Sequence, residues 1–466
     1  MASQANTVVR PTHANMKKVA AASMVGTTVE WYDFFLYATA AGVVFNQLFF
    51  TPAGEEMARI IAFFSTGISF VFRPIGGFIA GHLGDKIGRK PLLVLTLIMM
   101  GASTTLIGCL PTYASISVMA PLLLITLRIL QGLSAGGEWG GAAMMAVEHA
   151  PVHRRGFYGA MPQLGVPLGL VLSNAVLALM QTIAPGDAFM SWGWRIPFLF
   201  SAVLVFVGYW VRRSVSESPV FTEIKEREKQ AKMPVVQLFR YFFPLVILST
   251  LVFAGMNAAG YMTTGGFIQS YATNNLEMDS SLVLWIVSLA GITWGIFALL
   301  AGWASDYMGR RGAYIFGYIM LGVALLVLFP LVNTETAAGL LSGLVFLTLG
   351  LGFTYGPLAS WYAELFPASI RFSGVSIAYA LGALVGGAFS PLVAEALLQA
   401  TGTTNSITIY LVICTLIALC SCVLLRDRKR LNLSVENDAK QRIGLYIWQK
   451  PVSADAYMTD PDPKHS

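Results

Sequence analysis

Apolar stretches of roughly 20 residues, each ended by a short polar or charged segment, follow one another along nearly the whole chain. A helix of that length crosses a hydrocarbon core of about 30 Å. In lipid the backbone has no water to bond, so such segments must close their hydrogen bonds internally, as helices. The pattern predicts twelve spans, near 19–46, 57–81, 91–110, 117–145, 156–182, 192–212, 241–270, 281–304, 312–332, 337–362, 372–400 and 406–426. The predicted fold class is an all-α membrane protein with twelve transmembrane helices in two six-helix halves. The polar remainder divides the chain into an N-terminal tail (1–18), a first half (19–212), a charged linker (213–240), a second half (241–426) and a C-terminal tail (427–466). The linker carries Glu223-Ile-Lys-Glu-Arg-Glu-Lys229, and its alternating charges suit a solvated helix. The tail, polar and containing Pro451, Pro461 and Pro463, is expected to be mostly disordered.

Composition agrees with this reading. Hydrophobic residues make up 56% and charged residues 12%, with a mean hydropathy of +0.66, against about 25% charged residues in soluble domains. The net charge of +6 does not mark a nucleic-acid binder, because Lys and Arg alternate in and out of the loops instead of clustering on one face. Their distribution sets orientation. With both termini in the cytoplasm, only Arg59 and Arg195 lie near external ends, and Arg73 and Arg128 lie inside spans. The first apolar run is too long for a signal-peptide core, so an uncleaved first helix is expected. Cys109, Cys414, Cys420 and Cys422 lack metal-ligand spacing. No metal or cofactor is expected, and no nucleophile–base pair suggests an enzyme.

One loop motif occurs twice. Gly81-His-Leu-Gly-Asp85-Lys-Ile-Gly88-Arg89-Lys90 returns 221 positions later as Gly302-Trp-Ala-Ser-Asp306-Tyr-Met-Gly309-Arg310-Arg311. Recurrence once per half implies duplication. The glycines permit a tight turn, and the aspartates can meet helix N-termini or arginines. Tyr307 replaces Lys86 in the second copy, which predicts a weaker grip there.

Charges inside spans are costly, and they mark functional candidates. Glu30 and Asp33 lie one turn apart with Tyr37, Arg73 is in the second span, and Arg128 and Glu138 are in the fourth. Three acids against two arginines leave one carboxylate with reason to hold a proton, because close carboxylates raise each other's proton affinity. Glu30, Asp33 and Glu138 are therefore candidates for proton coupling, with Arg73 and Arg128 for an anionic substrate group. The second half offers neutral groups instead: Asn257, Tyr261 and Tyr355, with Gln269, Trp294 and Trp361. Gly132-Leu-Ser134-Ala-Gly136 matches a hydrolase elbow in letters only. It lies within a span, and glycines at 132, 136 and 140 suit close helix packing.

Several strings carry a family resemblance: Val29-Glu-Trp-Tyr-Asp-Phe34, Phe72-Arg-Pro-Ile-Gly-Gly77, Arg128-Ile-Leu-Gln-Gly132, Gly136-Gly-Glu-Trp-Gly-Gly141, Trp192-Gly-Trp-Arg-Ile-Pro-Phe198, Glu217-Ser-Pro-Val-Phe221, Glu364-Leu-Phe-Pro367 and Arg371-Phe-Ser-Gly374. With the duplicated halves, they resemble the metabolite:proton symporters of the major facilitator superfamily. The resemblance implies a site between halves that rock about it. It implies Asp85, Arg89, Asp306 and Arg310 as a cytoplasmic lock, and residence in a bacterial cell membrane. It implies a proton and a small metabolite as partners, carried by a monomer. Organic acids such as shikimate, 2-oxoglutarate or citrate are the expected cargo, with proline or glycine betaine, or proton-coupled export, as alternatives. A betaine would want an aromatic cage, which Trp31, Tyr32 and Tyr37 could partly supply.

Overall fold

A computed structural model describes residues 13–53, 55–213, 217, 221–223, 234–264 and 266–458. Most of the charged linker and the side chain of Tyr261 lie outside the described residues. Among the described residues, twelve long helices form the membrane part. The first six are α1 (His13–Ala40), α2 (Glu55–Ile87), α3 (Arg89–Cys109), α4 (Met119–Glu148), α5 (Val152–Ile183) and α6 (Phe189–Arg213). The second six are α7 (Phe243–Thr264), α8 (Ser280–Met308), α9 (Arg310–Val332), α10 (Ala337–Leu365), α11 (Ala368–Thr401) and α12 (Asn405–Leu424). Ten of these are long and apolar enough to span by composition alone. The remaining two, α1 and α2, are the helices that carry Glu30, Asp33 and Arg73.

The pairing repeats with a shift of six helices. In the first set α2 packs on α4, α3 on α4 and α6, and α1 on α5; in the second set α8 packs on α10, α9 on α10 and α12, and α7 on α11. The two sets meet where α2 lies against α11 and α5 against α8. Small residues let the backbones approach. A side chain at Gly132 would meet the Ser69 backbone, and one at Gly136 the Arg73 carbonyl, so the Gly132–Gly136 string is a packing surface as expected. Outward faces are apolar and exposed, with Phe206, Trp210 and Trp285 among the most open, as a lipid-facing surface requires.

Local signals begin and end the helices. Asp279 accepts from the Leu282 amide to cap α8, and Thr336 accepts from the Gly339 amide to cap α10. Gly88 and Gly309, at the motif turns, have φ of +110° and +88°, a region that a side chain makes strained.

The C-terminal segment corrects the expectation of disorder. Through residue 458 it is folded, with Leu425 bridging Tyr446, Leu431 bridging Tyr457, and Arg428 and Gln441 fully buried. Polarity misled here: these polar side chains bond the carbonyls and amides of the helix ends they cover.

Candidate functional site at the seam between the halves

Two constellations carry the polar chemistry: one inside the bundle, the other on the face formed by the duplicated motif. Inside the bundle, Arg73 of α2 faces Glu30 of α1 with Nη2 3.9 Å from Oε1, and both are buried. The guanidinium lies over Phe70, Trp31 and Phe34, with ring centroids 4.5, 5.5 and 5.6 Å away. Neither Glu30 oxygen, nor Nε or Nη1 of Arg73, has a hydrogen-bond partner among the described residues. Buried polar groups are normally satisfied, so this pair holds unused capacity for donors and acceptors.

Asp33 is arranged differently. Its carboxylate accepts from Thr104 Oγ1 at 2.7 Å and from Ser201 Oγ at 2.6 Å, which ties it to α3 and α6. Gln131 donates to the same Thr104 hydroxyl at 2.6 Å and accepts from Arg128 at 2.7 Å. Arg128 also bonds Ser69 and stacks 3.7 Å from the Tyr37 ring centroid, while the Tyr37 hydroxyl meets Ser65 at 2.7 Å. The structure thus joins Asp33, Arg128 and Tyr37 in one network, yet turns Glu30 and Asp33 to different neighbours. Spacing puts two residues on one face of a helix, but a helix face here meets more than one neighbouring helix.

The count of charges around Glu138 requires a correction. Glu138 is ion-paired with Arg212 of α6 and accepts from Thr96 Oγ1 at 2.8 Å. Arg212 counts as a loop charge in the sequence because it ends a span, yet it is buried and also donates to the Leu93 carbonyl. The intramembrane balance is therefore three acids against three arginines, and the argument from an excess carboxylate no longer holds.

The second half contributes rings. Trp139 of α4 stacks on Tyr379 of α11 at 3.8 Å and 6°, across the seam. Tyr379 stacks on Phe253 at 4.4 Å, Phe253 on Tyr355 at 6.3 Å, and Trp294 lies 5.7 Å from Tyr355. One helical turn past Arg73, a Cβ at Gly77 would lie 3.3 Å from the Ser376 carbonyl oxygen and 3.4 Å from the Ala380 side chain, which brings the α11 end of this ladder close to the ion pair. Asn257 Nδ2 and Trp294 Nε1 are buried without hydrogen-bond partners among the described residues. Tyr379 was legible only as one more aromatic in an apolar span.

On the motif face the two copies make matching contacts. Asp85 accepts from the amide and hydroxyl of Ser373 at 3.1 and 2.7 Å, at the start of α11. Asp306 accepts from the amides of Gly156 and Phe157 at 2.8 and 3.0 Å, near the start of α5. Each aspartate thus grips a helix N-terminus of the opposite half, where the dipole favours an anion. Arg89 pairs with Glu148 at 3.5 Å, and Arg310 with Glu364 at 3.2 Å. Glu217 accepts from the amides of Arg89 and Lys90, and Asp427 from that of Arg311, which caps α3 and α9 alike. The expected weakness of the second copy is not found. Arg310 holds Asp306 at 2.7 Å, whereas Arg89 and Asp85 are 4.0 Å apart, and Tyr307 points outward. The face is closed by contacts that sequence reading did not foresee: Glu148 resembles an ordinary loop charge, and Glu364 and Arg371 stood out only as parts of family strings.

Two repeated six-helix sets, a polar site at their seam and apolar outward faces define a membrane transporter built from two repeated halves. Comparison with known proteins agrees. The model of the Major Facilitator Superfamily matches residues 24–384 and 251–454, and the chain belongs to that superfamily. It is 40% identical to the inner membrane metabolite transport protein YhjE of Escherichia coli (strain K12), over 84% of this chain and 90% of that one. It is 37% identical to the shikimate transporter of the same strain, over 89% and 95% of the two chains. A proline/betaine transporter of Salmonella typhimurium is 30% identical, over 88% and 84%. Among solved structures, the proton:xylose symporter XylE shares the fold with a TM-score of 0.72 at 16% identity, covering 88% of this chain and 95% of that one. The protein is a metabolite transporter and not an enzyme.

Proposed function

We propose that the protein imports a small organic acid across a bacterial inner membrane by proton symport, as a single chain with both termini in the cytoplasm. The motif face is then the cytoplasmic gate, closed in this structure. The observation that carries the reading is the Glu30–Arg73 pair: oppositely charged, buried at the seam, and with hydrogen-bonding capacity to spare. An ionised Glu30 neutralises Arg73. Adding a substrate carboxylate alone would leave a net negative charge in a low-dielectric site, at a cost of several kcal/mol. A proton taken up on Glu30 restores neutrality and releases Arg73 to bind the substrate carboxylate. Asn257, Trp294 and the Tyr355–Tyr379 rings face the remainder of a small polar molecule, and Arg128 and Asp33 support the first half.

The rings also bear on substrate class. Trp31, Phe34 and Phe70 surround Arg73, Tyr37 carries Arg128, and the Tyr32 hydroxyl donates to the Pro197 carbonyl. Of the three rings expected to cage a quaternary ammonium, Trp31 and Tyr37 already carry the protein's own guanidinium groups, which favours a carboxylate. The shikimate transporter among the relatives supports the same class. Proteoliposomes with an inward proton gradient, offered shikimate, 2-oxoglutarate, citrate, proline and glycine betaine, test the proposal. Accumulation of one of the acids, collapsed by a protonophore, is expected; accumulation of betaine or proline alone would overturn the substrate class.

A further inference from the structure

We infer that Gln441, in the C-terminal segment, is a positioning residue of the gate that acts through Arg371; this rests on the reading that the motif face opens during transport. The fully buried Gln441 uses both ends of its amide. Its Oε1 accepts from the Ala368 amide at 2.7 Å and from Arg371 Nη2 at 2.9 Å, at the start of α11. Its Nε2 donates to the carbonyls of Asn432 and Ser434, each at 2.8 Å. Two donors and two acceptor lone pairs are all that an amide has, so one side chain pins the 432–434 loop onto the gate.

The pinned loop presents two carbonyls to the two halves. Leu433 O accepts from both Nη atoms of Arg371 at 3.2 Å, and Leu431 O accepts from Arg155 Nη1 of α5 at 2.7 Å. Arg371 in turn meets Glu148 of α4 at 3.3 Å, an ion pair across the seam. Arg371 is therefore held between the first half and the tail. The tail itself is fastened to the second half: Asp438 accepts from the Ser369 amide and hydroxyl, buried Arg428 donates to the Leu365 carbonyl, and Val435 packs on Ala368. When the halves part on this face the tail travels with the second, and the Arg155–Leu431 bond and the Arg371–Glu148 pair must both break. Gln441 sets the geometry of both and so favours the closed gate.

Two buried reporters test this in full-length protein whose four native cysteines are replaced by serine. Ser376 of α11 sits against the first half with a buried hydroxyl that has no hydrogen-bond partner among the described residues, so S376C reports parting of the halves. Thr415 is buried within α12, and T415C reports unfolding. With a water-soluble maleimide, Gln441→Ala should label S376C about tenfold faster, the scale of one hydrogen bond from a charged donor, and leave the T415C rate unchanged. Unchanged labelling at S376C, or equal acceleration at both sites, would overturn the inference, the latter by showing a merely structural role. An S376C reporter that stays unlabelled in the parent protein during proton-driven uptake would overturn the reading that this face opens during transport, and this inference with it.

Discussion

Glu138 and Arg212 offer a sharp separation between a structural ion pair and a coupling site. Both are buried, and they contact each other directly. Removing one partner leaves an uncompensated charge, which costs about 3–5 kcal/mol, whereas replacing both with apolar side chains of similar size is close to neutral. The neighbours support this arithmetic. Thr96 keeps its bond to the Leu93 carbonyl when Glu138 is gone, so the double variant strands no hydroxyl. Glu138→Met and Arg212→Met should each lower the melting midpoint in detergent by several degrees and reduce the yield of folded protein. Together they should restore most of it, giving a coupling energy of about 3 kcal/mol or more. The double variant should also keep proton-driven accumulation. A double variant that folds normally but has lost the proton dependence would refute the reasoning and return Glu138 to the coupling machinery. Single variants as stable as the parent would show that the pair does not form.

Glu30→Gln should abolish accumulation driven by a proton gradient while preserving exchange of internal for external substrate, because Arg73 keeps a neutral neighbour; radiotracer counterflow distinguishes the two. Arg73→Ala should lose both activities. Gly136→Ala would place a methyl group 2.1 Å from the Arg73 carbonyl oxygen and 2.5 Å from the Gly77 nitrogen. It should force α2 away from α4, cost about 1–3 kcal/mol and impair uptake, read as a lower melting midpoint with reduced transport. Docking of the tail should not vary with pH near neutrality. Burial alone would raise the Asp438 carboxyl, but the Ser369 amide and the Arg442 guanidinium hold it below its usual value of 3.8. Its contribution is complete above that value and fades only as the pH falls below it, so limited proteolysis of the tail should be constant near neutrality and increase only in strong acid.

The number and order of the helices were legible because the bilayer imposes a length and a polarity on each one. The repeated loop motif was legible because duplication printed it twice. Partnerships were less so. Glu30 with Arg73 and Asp33 with Arg128 were foreseen as one group of charges, but which acid serves which arginine depends on packing of α1 against α2, α3 and α6. Arg212 was hidden by its place at a span end, since a long side chain there can turn inward as readily as outward. The tail was misjudged because its polar residues satisfy helix termini instead of water, and composition does not distinguish those two uses.

The two constellations follow different rules, and the difference has a mechanical reason. If the face opens by rocking two similar halves, as proposed, it needs comparable contacts on both sides of the axis. Asp85 on α11 and Asp306 on α5 supply them, and Arg89–Glu148 and Arg310–Glu364 reinforce them. Proton symport of a carboxylate, as proposed, has no such need, because one proton and one carboxylate require one acid and one cation. The charged pair of the seam is found in α1 and α2, while the corresponding α7 and α8 supply Asn257 and Trp294. A second charged pair in those helices would add another buried-charge cost of several kcal/mol without adding a second substrate. Symmetry is therefore kept where force must balance and dropped where charge must be minimised. The Trp139–Tyr379 stack lies at the junction, joining the half that holds the charged pair to the other across the seam between them.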